Sequence, residues 1–163
     1  MLDKLYLNQN MLRGVHGERI LMAVRNCAAM STLCLANNFL GLQTPGQVQP
    51  PIDLLADLLT NSKTLEHLDI SYNQIDAKTC YCLSRGLQLS KSILYISMEG
   101  NPIGSSGIDF LMSARNRNSE MDFVINLKMV ESEANAAADN RIKVFDPSKP
   151  EGPYDMQLSN MYD

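Results

Sequence analysis

The sequence predicts an α/β fold in which strand-and-helix units repeat along the chain and stack into a solenoid. Apolar residues occupy relative positions 1, 4, 6 and 11, with an asparagine at position 9, as in the segment Leu65–Ile75. This pattern occurs four times, and apolar residues at helical spacing follow each copy. The four copies, called repeats 1 to 4 here, begin at Leu2, Met30, Leu65 and Ile93. Their separations of 28, 35 and 28 residues indicate a regular period of 28 with one interruption.

Positions 4 and 6 of each repeat are predicted to form a buried row. Side chains alternate along a strand, so two positions that lie two residues apart point to the same side. The predicted row comprises Leu5, Leu7, Leu33, Leu35, Leu68, Ile70, Ile96 and Met98. The asparagine at position 9 carries both donors and an acceptor, so it can satisfy backbone groups where the chain leaves the strand. Stacked repeats would align Asn10, Asn38, Asn73 and Asn101 into a structural ladder.

Helices are predicted after each strand. The spacing of apolar residues predicts helices over Gly17–Asn26 and Ile52–Asn61. A third is expected to run to Leu87, with Asp76 as its N-terminal cap, and a fourth to begin at Ser105 or Ser106.

Two irregularities shape the predicted domain organisation. Seven extra residues separate Asn38 from the first helical leucine of repeat 2, which indicates a proline-containing loop insertion at about 42–51. A degraded fifth start near Met121 is interpreted as a terminal cap strand, and Arg115 spoils the apolar pattern of the helix before it. A shift of one residue would make the inward-facing row of that strand Phe123, Ile125 and Leu127.

The solenoid is expected to span residues 1–129, and a polar C-terminal tail is expected over 130–163. The prolines at 147, 150 and 153 argue against regular structure within that tail. The tail could be disordered, or it could be ordered along a surface.

Composition narrows the class of protein. The chain is 45% apolar and 20% charged, as is ordinary for a soluble domain, and its net charge of -4 argues against a nucleic-acid partner. No apolar run is long enough for a membrane span, and the N-terminus does not resemble a signal peptide. The four cysteines show no metal-ligand spacing, so we expect reduced thiols and an intracellular, cytoplasmic protein. They are Cys27, Cys34, Cys80 and Cys82.

Over roughly Leu2 to Leu127 the chain resembles the leucine-rich repeat family. A helix in every unit and the 28-residue period resemble the ribonuclease-inhibitor-like subclass of that family. The resemblance implies a right-handed β/α superhelix of about four and a half repeats, with a parallel sheet on the concave side and helices on the convex side. Members of this subclass mostly bind other proteins.

Positions 3, 5 and 7 of each strand should face the concave side when positions 4 and 6 face the core. They form the predicted partner-binding face, which we call the sheet face: Lys4, Tyr6, Asn8, Thr32, Cys34, Ala36, His67, Asp69, Ser71, Tyr95, Ser97 and Glu99. Tyrosines are favoured as interface anchors because they bury a large area at low entropic cost. A solvated face without a partner is the competing interpretation. The sequence contains no nucleophile motif, no glycine-rich phosphate loop and no metal spacing, so we expect neither catalysis nor a cofactor.

Three functional hypotheses follow. The first is a non-catalytic interaction module that forms one component or fragment of a larger intracellular assembly. The second is a regulator of an enzyme, either an inhibitor or a GTPase activator, and the third is an architectural ciliary or cytoskeletal component. A repeat strand begins directly after Met1 with no amphipathic cap. We therefore expect another chain or an N-terminal segment to cover the first repeat.

Overall fold

A computed structural model describes residues 1–42, 51–118 and 123–127, together with the backbone of residues 142–143. It contains four helices, α1 (Gly14–Arg25), α2 (Ile52–Asn61), α3 (Ala77–Leu89) and α4 (Gly104–Arg117). The six strands are β1 (Lys4–Tyr6), β2 (Thr32–Cys34), β3 (His67–Asp69), β4 (Tyr95–Ser97), β5 (Val124–Asn126) and β6 (Ile142–Lys143).

The strands form one sheet in which each pairs in parallel with the next strand along the chain. The register joins equivalent positions of successive repeats, so position 4 of each repeat lies beside position 4 of the next. This row runs through Leu5, Leu33, Leu68, Ile96 and Ile125. The arrangement of a parallel sheet and four helices is consistent with a leucine-rich repeat solenoid.

The core lies between the sheet and the layer of helices. Successive helices pack against one another, and their apolar faces meet positions 4 and 6 of the strands in one hydrophobic cluster. Leu33 and Leu68 are fully buried, whereas Leu5, at the same position in repeat 1, is only half-buried. The predicted inward-facing row is therefore confirmed, with incomplete burial on β1.

The helices begin and end close to their predicted positions. Helix α2 has the predicted bounds. Asp76 caps α3, because its carboxylate accepts a hydrogen bond from the Thr79 N–H at 2.8 Å. Helix α1 begins three residues earlier than predicted, after Arg13 in an extended conformation. Arg13 and Asp76 occupy the same repeat position, so both helices start at the same point of the unit.

A left-handed residue follows each of the first four strands. Position 8 has a positive φ in every repeat, with values of 59° at Gln9, 54° at Asn37, 55° at Tyr72 and 66° at Gly100. This conformation turns the chain out of the strand, immediately before the ladder asparagine. The turn is not evident from the sequence, because Asn37 and Gly100 are of types that readily adopt this conformation but Gln9 and Tyr72 are not.

The C-terminal end of the sheet differs in part from expectation. Phe123, Ile125 and Leu127 are buried, which confirms the shifted register of β5. Arg115 does not disturb its helix, since its Nε donates a hydrogen bond to the Phe123 carbonyl at 2.7 Å. The prediction of β5 as the terminal strand is wrong, because β6 pairs with it inside the segment assigned to the tail. Most of the predicted insertion at 42–51 and the prolines at 147, 150 and 153 lie outside the described residues.

Candidate protein-binding face

The strand register brings the predicted sheet-face residues together on one side of the sheet. Tyr6, Cys34, Asp69 and Ser97 align as a row at position 5. A second row at position 3 runs through Lys4, Thr32, His67 and Tyr95. Positions 4 and 6 occupy the core, so these rows point away from the helices.

The prediction that all these positions are exposed is wrong for the central strands. Lys4 and Tyr6 on β1 are exposed, and Asn8, His67 and Glu99 are half-buried. The other predicted residues on β2 to β4 are at most 7% exposed: Thr32, Cys34, Ala36, Asp69, Ser71, Tyr95 and Ser97. Neighbouring strands lie about 4.8 Å apart, so short side chains on the middle strands shield one another from solvent.

Hydrogen bonds between polar side chains hold the centre of this face together. The hydroxyl oxygens of Ser71 and Ser97 lie 2.9 Å apart, and Asn126 Nδ2 donates to Ser97 Oγ at 3.2 Å. Asp69 Oδ1 accepts from the Ser71 N–H at 3.0 Å. The central polar residues are thus engaged with one another and give the face a fixed shape.

Two titratable groups of the sheet face, His67 and Cys34, have pKa values shifted toward their neutral forms. Burial lowers the pKa of His67, with a further lowering by Lys4 that Glu66 opposes. The shift favours the neutral imidazole, whose ring centroid lies 6.3 Å from that of Tyr95 with an angle of 45° between the ring planes. Burial, aided by the Asp69 charge, raises the pKa of Cys34 to about 12. Its thiol is protonated at neutral pH and is a poor nucleophile.

Asn38 forms the predicted ladder contacts with the repeat before it. Its Oδ1 accepts from the N–H groups of Asn10 at 3.0 Å and Leu12 at 2.9 Å. Its Nδ2 donates to the carbonyls of Leu7 at 2.9 Å and Leu35 at 2.8 Å. One buried amide thereby satisfies backbone groups of two successive repeats.

The same ladder continues through the next two repeats but not through the first. Asn101 Oδ1 accepts from the Asn73 N–H at 2.8 Å, and Asn73 Nδ2 donates to the Leu35 carbonyl at 2.9 Å. Asn10 is exposed, and its side chain donates at 2.9 Å to the carbonyl of Asn8 in its own repeat. The ladder is therefore confirmed for Asn38, Asn73 and Asn101, whereas Asn10 stands at its open end.

Tyr72 is a rim residue that the sequence analysis missed. It lies at position 8, just beyond β3, where its hydroxyl donates to Glu99 Oε1 at 2.8 Å and its side chain is 44% exposed. This bond is the first cause of the raised pKa of Tyr72. The ring lies against Gly100, where an added Cβ would collide with it. A tyrosine followed 28 residues later by a glycine was the signal in the sequence for this contact.

The part of the chain that the structure describes holds no group of three or more His, Cys, Asp or Glu residues able to bind a metal ion. All four cysteines carry free thiols. Among residues 1–42, 51–118 and 123–127, no helix combines the length and apolar character needed to cross a membrane.

Comparison with known families agrees with this geometry. The sequence model of the Leucine Rich Repeat family matches residues 64–85, which contain β3, the ladder asparagine Asn73 and the first part of α3. The match supports a leucine-rich repeat protein. Domains of this class are generally non-catalytic, and such a repeat suggests a protein–protein interaction module. No match was found among the curated proteins.

Proposed function

We propose that this chain is a non-catalytic protein-binding module that docks its partner on the β1 side of the sheet face. The observation that carries the proposal is the position of Tyr6. Its side chain is 45% exposed on an edge strand, next to the exposed Lys4, and it takes no part in the hydrophobic core. A rigid aromatic side chain with an adjacent charge is a typical anchor of protein interfaces.

The buried centre of the sheet face supports this function by fixing the surface around the anchor. The hydrogen bonds among Asp69, Ser71 and Ser97 hold these residues in place before a partner arrives. A partner that meets an ordered surface loses less side-chain entropy on binding. At the rim, the bond to Glu99 restrains the exposed Tyr72 in the same way.

The mixed charge of this surface suits a protein better than a nucleic acid. Lys4 provides a positive charge on β1, and Glu99 provides a negative charge at the rim. Phosphate backbones require a predominantly basic face, which a chain of net charge -4 does not offer. We therefore propose a polypeptide partner with charges of both signs.

We assign the module to the ribonuclease-inhibitor-like subclass and to a cytoplasmic assembly. Asn10 and Asn38 are 28 residues apart, as are Asn73 and Asn101, and a helix lies after each of the four. Burial raises the pKa of Cys80 to about 12, with the Asp76 charge as the second cause, so that thiol fills the core as a small apolar group. Free thiols in such positions favour a reducing compartment.

The experiment compares three tyrosines of similar exposure. The protein is isolated from its native source with its bound partner, and affinity is then measured for Tyr6→Ala, Tyr72→Ala and the control Tyr81→Ala. Tyr81 is 52% exposed on α3, on the helical side of the molecule. We expect the affinity to fall by at least about tenfold for Tyr6→Ala, as for an interface anchor, and to be unchanged for Tyr81→Ala. Equal affinities for all three variants would remove the sheet face from the proposal.

A further inference from the structure

The side of the molecule formed by β1 and α1 is buried far less than the equivalent surface of the other repeats. In repeats 2 to 4, positions 1, 4, 6 and 11 are all between 0% and 6% exposed. In repeat 1, Leu2 is 49% exposed, and Leu5, Leu7 and Leu12 are half-buried. Ile20 of α1 is also half-buried, whereas its equivalents in the later helices are fully buried: Leu55, Leu83 and Leu111.

The side-chain amide of Asn10 makes different hydrogen bonds from the amides of the other ladder asparagines. In repeats 2 and 4, the ladder amide reaches backward to the preceding repeat: Asn38 donates to the Leu7 carbonyl and Asn101 to the Ile70 carbonyl. Within the described residues, the Asn10 side chain has one hydrogen bond, to Asn8 of its own repeat. Among the described residues, the Asn10 Oδ1, whose equivalent at Asn38 accepts two N–H groups of the preceding repeat, makes no hydrogen bond, and the Asn10 Nδ2 makes none outside repeat 1.

The backbone of β1 also has hydrogen-bonding groups that the equivalent strands use and that β1 does not use in the part of the chain that the structure describes. The position 6 N–H of each repeat donates to the position 5 carbonyl of the following repeat, as from Leu7 to Cys34 and from Leu35 to Asp69, both at 2.8 Å. The equivalent carbonyl in repeat 1 belongs to Tyr6. Among the strands that the structure describes, β1 pairs with β2 alone, so the Tyr6 carbonyl lies on the unpaired edge. Its N–H points the same way, because alternate residues of a parallel strand bond to opposite neighbours.

We propose that this surface, defined by Leu2, Leu5, Leu7, Asn10 and Ile20 and called the open edge, receives a further strand-and-helix unit of the leucine-rich repeat type. The strand of that unit pairs in parallel with β1. Its apolar face covers the four aliphatic residues, and its turn supplies the backbone groups that the Asn10 amide binds. The new unit contacts the strand edge and the core side of β1, whereas the partner proposed above contacts Lys4 and Tyr6, whose positions 3 and 5 face away from the core.

The repetition of the interface identifies this occupant. The open edge presents the same apolar positions, ladder amide and strand edge with which repeats 2, 3 and 4 meet their predecessors. A second copy related by a twofold axis would place its β1 antiparallel, or turn its helices to the opposite side of the sheet. Neither arrangement would return the backbone groups that Asn10 requires. A parallel repeat would cover the apolar positions, pair with the strand edge and bond to the Asn10 amide, through the same contacts that repeats 2 to 4 make with their predecessors.

The test extends the full chain by one repeat. A duplicate of residues 65–92, which leads directly into repeat 4 in the native chain, is joined in front of Leu2. Hydrogen exchange is measured at the Tyr6 amide in the extended and unextended proteins. We expect exchange to slow by at least about tenfold in the extended protein, since an amide paired between strands opens less often than one at a fraying edge. The control extension carries Leu68→Asp and Ile70→Asp in the duplicated segment and should leave the exchange rate unchanged.

Asn10 provides a second measurement within the same proteins. In the extended protein, Asn10→Ala should lower the Tm by about 2–4 °C, as Asn38→Ala does in either protein. In the unextended protein, Asn10→Ala should leave the Tm unchanged. An equal, negligible effect of Asn10→Ala in both proteins would overturn the proposal.

A second extension controls for the case in which the duplicate of residues 65–92 packs poorly against repeat 1. It repeats residues 2–29, whose junction with the next repeat is also native to the chain. If neither extension protects the Tyr6 amide, the proposal is overturned. Dimerisation of the unextended protein that protects the same amide would overturn it in favour of a second copy.

Discussion

Repeats 1 and 3 carry the same pattern of residues but differ in what those residues do. Leu68 is fully buried and Asn73 bonds to repeats 2 and 4, whereas Leu5 is half-buried and Asn10 bonds, outside its own repeat, only to repeat 2 through its backbone N–H. The difference follows from the number of neighbours, since repeat 3 is stacked on both sides and repeat 1 on one. A repeat therefore specifies which side chains can be buried, and stacking decides which of them are.

The largest expected difference between the two repeats concerns position 4. Leu68→Ala should lower the free energy of unfolding by about 2–5 kcal/mol, because it leaves a cavity among fully buried neighbours. Leu5→Ala removes a half-buried side chain and should cost about 1 kcal/mol or less. Chemical denaturation of both variants measures the difference. Equal losses would show that Leu5 is as buried in solution as Leu68, and the comparison of the repeats would fail.

The ladder asparagines give the next largest contrast. Asn73→Ala removes the donor that lies 2.9 Å from the Ser71 carbonyl and one of the two amide donors to the Leu35 carbonyl, and should cost about 2 kcal/mol. Asn10→Ala in the native chain should cost less than about 0.5 kcal/mol. Thermal unfolding followed by circular dichroism separates these values. A large loss for Asn10→Ala would mean that its amide already has a partner beyond its own repeat.

Much of this architecture follows from periodicity alone. Residue spacing was sufficient to predict the buried rows at positions 4 and 6, the bounds of α2 and the ladder at Asn38, Asn73 and Asn101. Each of these features recurs at the same positions of the stacked repeats. The shifted row around Ile125 was predictable for the same reason. Spacing is sufficient to predict burial and strand pairing wherever a residue contacts its equivalent in the next repeat.

The burial of the sheet face was not predictable from the residues of any one strand. Ser71 and Ser97 are small polar residues, and only their contact across two strands takes them out of solvent. The left-handed turn at position 8 was not predictable because Asn37 and Gly100 favour a positive φ, whereas Gln9 and Tyr72 do not. Strand β6 has two residues, too few for a pattern of alternation.

Helix caps extend the comparison of repeats 1 and 3 to smaller energies. The Asp76 carboxylate accepts from the N–H and hydroxyl of Thr79 at 2.8 and 2.6 Å, whereas Arg13 at the same repeat position makes no side-chain cap bond. Asp76→Ala should cost about 1 kcal/mol, and Arg13→Asp should gain roughly 0.5–1 kcal/mol by adding an N-cap carboxylate and removing a cation from the helix N-terminus. Urea denaturation at pH 7 measures both changes.

The cap of repeat 3 should also depend on pH. The Thr79 bonds lower the pKa of Asp76 in the folded protein, so the folded state favours the charged carboxylate. The stabilisation is complete above the unfolded pKa of about 3.9 and is lost as the pH falls through the lower folded value. The native protein and Asp76→Ala should therefore converge in stability below that window. A difference that persists there would show that the cap acts through packing instead of charge.

The smallest expected effect tests the turn that every repeat shares. Gln9 has a φ of 59°, makes no side-chain hydrogen bond within the described residues and is exposed, so Gln9→Gly should relieve backbone strain. The gain should be roughly 0.5 kcal/mol, because the greater backbone entropy of glycine in the unfolded chain offsets part of the relief. Gly100→Ala should act in the opposite direction, since φ is 66° there and the added Cβ meets the Tyr72 ring. Measured by chemical denaturation, a loss of stability in Gln9→Gly would show that the open repeat adopts a different turn from the stacked ones.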